Sequence, residues 1–332
     1  MKKFILRGAI AIVGLVLFVI LLFAASSLIK GTFHKFAENQ MSGVLSELSA
    51  RKSEDEKSPA TQSSQPEQEE ISDSSPDPSE HGEASFWVEY IDIGQADATL
   101  ICCEGHYMLI DGGYHSTSDV LYTVLKNHGI THLDYLVCTH AHSDHCGGLS
   151  AAYELATVSH VLAPVTEDDR DVSFTIFCDR TKKAGYTIEI PKAGDTFSLG
   201  EAFCEIVGPI STEQENVNNT SIVLRITYGE TAFLFCGDAE LEEETEILDA
   251  GYDIKCDVLK IGHHGSFTST NYRWLYYAEP KYGVISCGKN NDYGHPHEQT
   301  LSRLRDAEVE VYRTDELGDI YFYSDGKTVW TD

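Results

Sequence analysis

Three patterns of apolar and polar positions follow one another along the chain. After Met1-Lys2-Lys3 and Arg7, residues 8–29 run apolar without a charge. About 20 such residues cross the roughly 30 Å hydrocarbon core of a bilayer as a helix, so this run predicts a transmembrane anchor. A cleaved signal peptide carries a shorter apolar stretch of about 7–15 residues before a small-x-small site. Ala24-Ala25-Ser26 offers such a site, which makes secretion the alternative. Lys2, Lys3 and Arg7 stand before the run and Lys30 and Lys35 after it. That balance, with the free amino group, puts residues 1–7 in the cytoplasm and the remainder outside. Residues 30–85 lose their large apolar positions and become Ser, Glu, Gln, Pro and Asp, most completely from about residue 47. Such a segment buries too little surface to offset the entropy of ordering, and reads as a disordered acidic linker.

From Phe86 the pattern changes to short β-branched and aromatic runs punctuated by Gly and acidic turns. It predicts strands at 86–93, 98–102, 107–110, 133–138, 158–163, 203–207, 221–228, 231–236, 258–261 and 282–286, and in the tail at 309–312 and 319–323. Val120, Leu121, Val124 and Leu125 at helical spacing, ended by Gly129, predict a helix over 119–127. Further helices are expected over 148–155, 240–250 and 298–307. Mixed strands and helices over residues 86–332 predict one layered α/β domain.

Charge changes the picture of what this domain meets. The chain has 24 basic and 53 acidic residues, and by count 16 and 41 of them fall within residues 86–332. A polyanion would face a repulsive surface unless metals or a local basic patch offset it; the alternative is that acidity serves solubility alone. The acidic run at 240–246 reads as a solvated helix face. Nine cysteines include no CxxC, and an odd count rules out complete pairing. Cys138, Cys204, Cys236 and Cys287 sit in apolar runs and read as small hydrophobes. For an exported domain this usage points to a reducing or anaerobic setting. Trp274, Tyr276 and Tyr277 read as core aromatics, with base stacking as the alternative. There is no Walker loop, no dinucleotide-binding Gly motif and no G-x-S-x-G, so no nucleotide cofactor is expected.

The chemistry concentrates in Thr139-His140-Ala141-His142-Ser143-Asp144-His145, at the end of an apolar strand. Residues i and i+2 of an extended segment point the same way, so His140 and His142 can grip one ion together. Asp144 and His145 follow in the turn and can reach a second. Imidazole with carboxylate suits zinc, and also manganese or iron. A second apolar strand ends in Gly237-Asp238, and a carboxylate bridging two cations is a recurring device of two-metal hydrolases. A third ends in Gly262-His263-His264-Gly265-Ser266, where one of the two histidines would complete the second ion's shell.

HxHxDH, strand-GD and strand-GHHGS together resemble the metallo-β-lactamase fold superfamily. Residues 91–97 (IDIGQAD), 109–113 (LIDGG), 218–221 (NNTS), Leu259-Lys260, 293–297 (YGHPH) and 312–315 (YRTD) are similar to the extracytoplasmic hydrolase domain of ComEC-type DNA-uptake competence proteins. The resemblance covers Phe86 to the C-terminus. It implies an αββα four-layer sandwich holding two divalent metals, zinc foremost and manganese as the alternative. It implies that His140 and His142 bind the first metal, that Asp144, His145 and His263 bind the second, and that Asp238 bridges. His264 would face substrate or orient the site, and Asp111 would fix a ligand histidine. Asn218-Asn219 stands where the superfamily commonly has another histidine, which makes Asn219 a possible ligand, and Ala96 replaces a usual glycine. The implied chemistry is hydrolysis by a metal-activated water, with Asp144 accepting its proton. His295 and His297 would protonate the leaving group or bind phosphate. The expected function is a single-pass, outward-facing phosphodiesterase or nuclease related to DNA uptake. The alternatives are hydrolysis of another ester, amide or lactone, or a non-catalytic binding module.

Overall fold

The computed structural model describes residues 85–332. The anchor expected over 8–29 and the linker before Ser85 lie outside the described residues. No helix among the described residues is long and apolar enough to cross a membrane.

In chain order the strands are β1 (Phe86–Tyr90), β2 (Thr99–Cys103), β3 (His106–Ile110), β4 (His132–Val137), β5 (Thr157–Leu162), β6 (Ile188–Glu189), β7 (Thr196–Leu199), β8 (Ala202–Gly208), β9 (Val223–Tyr228), β10 (Thr231–Phe235), β11 (Val258–Lys260), β12 (Tyr282–Ile285), β13 (Glu310–Arg313), β14 (Ile320–Ser324) and β15 (Val329–Thr331). The helices are α1 (Ser118–Asn127), α2 (Ser143–Cys146), α3 (Val172–Lys183), α4 (Leu241–Ala250), α5 (Tyr272–Ala278), α6 (Glu298–Asp306) and α7 (Thr314–Leu317). One sheet has the order β15-β14-β1-β2-β3-β4-β5-β6 and the other β13-β12-β11-β10-β9-β8-β7.

Period-two alternation explains the layering, because successive strand side chains point to opposite faces. Phe86, Val88 and Tyr90 of β1 and Phe233 and Phe235 of β10 enter one core between the sheets. Leu100 of β2 and Leu109 of β3 face the other way and pack with Leu121 and Leu125 of α1 and Phe174 and Phe177 of α3. Ala232 and Leu234 of β10 face outward on the second sheet, against Ile247 of α4, Trp274 of α5 and Leu304 of α6. The result is the expected helix–sheet–sheet–helix stack. Strands β3, β4 and β5 are parallel, as are β10, β11, β12 and β13. Parallel strands bring their carboxyl ends to one edge, where ligands of such sheets bind.

Three expectations need correction, and one helix had not been expected. Residues 148–155 form a tight 3-10 stretch, Leu149–Glu154, in place of an α-helix. A Cβ at Gly148 would collide with the Gly112 carbonyl oxygen, so the segment is drawn against the loop after β3. The acidic run of α4 is not all solvated, since Glu243 and Glu244 are buried. Trp274 is core, as expected, but Tyr276 and Tyr277 are exposed. Helix α3 was hidden because Val172 and Ile176 on its outer face are exposed apolar residues, which blurs the stripe made by Phe174 and Phe177. All nine cysteines are free, and all but Cys178 are buried.

Candidate metal centre

Loops at the carboxyl ends of β3, β4, β10, β11 and β12 carry most of the site, and the β1–β2 loop and the turn before β9 add Gln95, Asp97 and Asn218. The loop after β4 delivers His140, His142, Asp144 and His145. Gly237, after β10, takes φ +50°, and a Cβ there would lie 2.9 Å from Thr139. Only glycine lets Asp238 come this close.

Three inward imidazoles, His140, His145 and His264, have a partner on the far nitrogen. Asp111 Oδ2 lies 2.7 Å from His145 Nδ1 and also accepts from the Thr139 hydroxyl, while its Oδ1 accepts the Thr139 N–H. His145 Nε2 therefore faces inward, 3.3 Å from Asp238 Oδ1 and 4.0 Å from Asp144 Oδ2. The Ser286 carbonyl can only accept, so His264 Nδ1, 3.0 Å away, carries the proton. His264 Nε2 then faces inward, 3.3 Å from Asp144 Oδ2 and 3.7 Å from Asp238 Oδ1. His140 Nδ1 lies 3.1 Å from the Thr139 hydroxyl, and its Nε2 is 3.0 Å from His142 Nδ1 and 3.8 Å from Asp238 Oδ2.

Two ligand groups result, His140–His142–Asp238 and Asp144–His145–His264. The motif suggested His263 for the second group, but the histidine brought to Asp144 and His145 is His264. His263 and His264 both adopt left-handed backbone, φ 50° and 52°, which splays the neighbouring side chains apart. His263 Nδ1 lies 3.1 Å from Glu240 Oε1, and its Nε2 3.7 Å from Asp238 Oδ2. Asn219 is turned away to the start of α4. Its Oδ1 accepts the Glu240 N–H at 3.0 Å and its Nδ2 donates to Glu242. Asn218 lines the cavity in its place and donates to Glu240 Oε1 at 2.9 Å.

The donor set fits divalent cations. His145 Nε2, His264 Nε2 and Asp238 Oδ1 are buried and have no hydrogen-bond partner. Orphaned buried polar atoms of this kind call for an explanation, and convergent imidazole and carboxylate atoms supply one. The electrostatics agree. Burial opposes charge on Asp144, yet His145 and His264 bring its carboxyl down to about 2. Burial opposes charge on His264 too, but Asp238 and Asp97 push it up to about 10. With burial likewise opposing, His145, His264 and His263 hold Asp238 well below the usual carboxylate range. Burial, then His145, pushes His140 well down. The pocket is one that demands positive charge at its centre.

Several site residues were not singled out by chemistry in the sequence. Lys260 Nζ, buried, lies 2.8 Å from Asp97 Oδ2, and Asp97 Oδ1 is 3.4 Å from His264 Nδ1. Glu240 and Gln95 are the others. The Gly288 N–H donates to Gln95 Oε1 at 2.9 Å, which turns the Gln95 amide nitrogen onto His295 Nδ1 at 3.2 Å. His295 Nδ1 must then accept, and its proton sits on Nε2. Burial, followed by His264 and His263, brings His295 down to about 4, so its ring is uncharged near neutral pH. His297 lies one ring farther along, 4.9 Å from His295, with Nδ1 accepting the Phe267 N–H. The cavity over the cluster is about 280 Å³ and is lined by Gln95, Tyr114, His142, Asp171, Tyr293 and His295 among others.

Comparison with known proteins follows the same lines. A model of the metallo-beta-lactamase superfamily matches residues 91–289. The chain is 32% identical over 255 residues to ComE operon protein 3 of Bacillus subtilis, covering 71% of this chain and 32% of that protein. It is 28% identical over 242 residues to Recombination protein 2 of Haemophilus influenzae, covering 71% and 28%. The chain thus spans about a third of the length of these relatives. Among solved structures, CmlA, a diiron beta-hydroxylase from Streptomyces venezuelae, has a TM-score of 0.50 at 14% identity over 73% of this chain and 54% of that one, a likeness of fold alone. The chain belongs to the metallo-beta-lactamase superfamily and is similar to its ComEC-type competence members.

Proposed function

We propose that this chain is a metal-dependent hydrolase of phosphodiester bonds, held at the membrane by its N-terminal segment with the domain outside, and concerned with nucleic acid during DNA uptake. The observation that carries this reading is the set of inward, unpartnered atoms, His145 Nε2, His264 Nε2 and Asp238 Oδ1, beneath a polar cavity. His140, His142 and Asp238 would hold one divalent ion, and Asp144, His145 and His264 a second, with Asp238 shared. Zinc is the first candidate and manganese the alternative. Ions so held supply Lewis acidity and a water acidic enough to attack at neutral pH.

The remaining residues have parts of their own. Asp144, ionised near neutral pH, accepts the proton of the attacking water. His295 Nε2–H donates a hydrogen bond to a phosphoryl oxygen without carrying a charge. Glu240 orients His263 so that its Nε2 faces the cavity, where it passes a proton to the leaving oxygen. Asp111, Asp97 and Lys260 touch no substrate and fix the imidazoles that do the binding.

The acidic domain favours a second reading, in which a small ester or lactone replaces the polyanion. One assay separates the two. The full chain, loaded with zinc or manganese, is offered bis-p-nitrophenyl phosphate, single- and double-stranded DNA, and nitrocefin. Turnover of the phosphodiesters that disappears in His142→Ala supports the proposal. Turnover of nitrocefin alone overturns it, and full metal content without any turnover makes the chain a binding module.

A further inference from the structure

A row of rings runs from the metal cavity, where Tyr293 and His295 line the wall, to His297 and Phe267 beyond it. Tyr293 stacks on His295, with centroids 5.6 Å apart and planes 22° from parallel. His295 meets His297 at 4.9 Å, and His297 meets Phe267 edge-on at 5.0 Å. The two histidines are largely covered, but the rings at the ends are not: Tyr293 is 62% exposed and Phe267 55%. Single exposed apolar residues are common on protein surfaces. These two differ in being held in place while their faces stay open. The Phe267 N–H donates to His297 Nδ1 at 3.1 Å, and its carbonyl accepts from Arg303 at 2.8 Å. Arg303 also donates to the Ser269 and Thr270 carbonyls, which fixes the loop on its far side. The Tyr293 N–H donates to Asn291 Oδ1 at 3.2 Å, and Tyr293 lines the cavity together with Tyr114. An ordered ring loses little freedom when a flat group stacks on it, which is how preorganised aromatics gain affinity.

The charge of the domain decides what the flat group is. With 16 basic against 41 acidic residues in 86–332, a ligand gripped along its phosphates is disfavoured. Nucleobases are uncharged, and every base has a π face that an aromatic side chain can meet. In a duplex those faces are already stacked on one another. Resting on the phosphodiester reading above, we propose that Tyr293 and Phe267 are stacking platforms for bases flanking the scissile phosphate, and that the substrate is a single-stranded nucleotide chain.

The test uses the zinc-loaded full chain and two ten-residue ligands of equal charge, an oligothymidylate and its abasic counterpart. Both carry phosphorothioate linkages to slow cleavage, and binding is read by fluorescence anisotropy. Oligothymidylate is expected to bind at least tenfold more tightly than the abasic chain. Tyr293→Ala and Phe267→Ala should each weaken oligothymidylate binding about tenfold, leave abasic binding unchanged, and leave the thermal midpoint unchanged. Tyr293→Phe should keep most of the preference. Equal binding of the two ligands, or Ala variants that bind like the parent, overturns the platforms. Equal binding that both Ala variants lose also overturns them, in favour of stacking on sugars. Cleavage of the abasic chain made with ordinary linkages would keep the phosphodiester reading alive in either case. No cleavage of that chain, of oligothymidylate or of bis-p-nitrophenyl phosphate removes both.

Discussion

The two ligand groups of the centre are built to different standards. Behind Asp144–His145–His264 stand two buried carboxylates, a buried ammonium and a carbonyl. Asp111 holds His145, the Ser286 carbonyl holds His264, and the Lys260–Asp97 pair closes the space behind it. Behind His140–His142–Asp238 stand mainly hydroxyls, Thr139 and Ser221, at 3.1 and 3.4 Å from His140 Nδ1. His142 is half-buried, and the position where the superfamily commonly has a further histidine holds asparagines directed at Glu240 and Glu242. Outer partners fix tautomer and ring direction and raise ligand basicity. On that ground the second group is predicted to hold an ion more tightly than the first.

The largest expected effect comes from breaking the support of the second group at its deepest point. Lys260→Met leaves Asp97 buried without its cation, a change that costs about 3–5 kcal/mol. Urea unfolding of the metal-free chain measures it, and a loss below about 1 kcal/mol would mean that the pair contributes little. Next is Asp111→Asn, which removes the charged partner of His145 Nδ1. Metal affinity at the second group should fall about ten- to a hundredfold, with the first group unaffected. Competition with a chromophoric chelator reads both steps, and a uniform loss would erase the distinction between the groups.

The smallest effect lies outside the centre, in α4, whose carboxylates anchor the loop carrying the splayed histidines. Glu244 accepts from the Thr270 and Asn271 backbone N–H groups and the Asn271 side chain. Burial nonetheless pushes it up from 4.5 to about 7. Its folded pKa lies above its unfolded one, so its contribution to stability is full below about pH 4.5 and is lost as pH rises through 7. Between pH 6 and 8 the parent should lose about 1 kcal/mol that Glu244→Gln does not lose. Parallel urea midpoints at the two pH values check it. Identical slopes would show that Glu244 does not titrate in this range.

Much of this was legible in the sequence, and what was not has physical reasons. Strands β3, β4, β10, β11 and β12 announced themselves through apolar runs, and the ligating motifs sat at the ends of β4, β10 and β11. Asp111 was marked only by the resemblance of residues 109–113 to the competence proteins. The choice between His263 and His264 was not legible, since it depends on two consecutive left-handed φ values that no pattern of types encodes. The Lys260–Asp97 pair joins residues 163 apart, and only the folded sheets bring them together. Glu243 and Glu244 look like solvent-facing acids in any window of sequence, because what buries them is the packing of α4 on the second sheet. Helix α5 was missed because an aromatic run suits a strand as well as a helix. Its start is set by Asn271, which accepts from the Arg273 and Trp274 N–H groups.

The central claim is that His264, not His263, completes a tight second position while His142 serves a weaker first one. Zinc titration of the full chain against a chelator, for the parent and for His142→Ala, His263→Ala and His264→Ala, tests it most directly. Two binding steps are predicted for the parent. The tighter one should vanish in His264→Ala and survive in both other variants, and the weaker one should be lost in His142→Ala. A tight step that survives His264→Ala and disappears in His263→Ala would contradict the account.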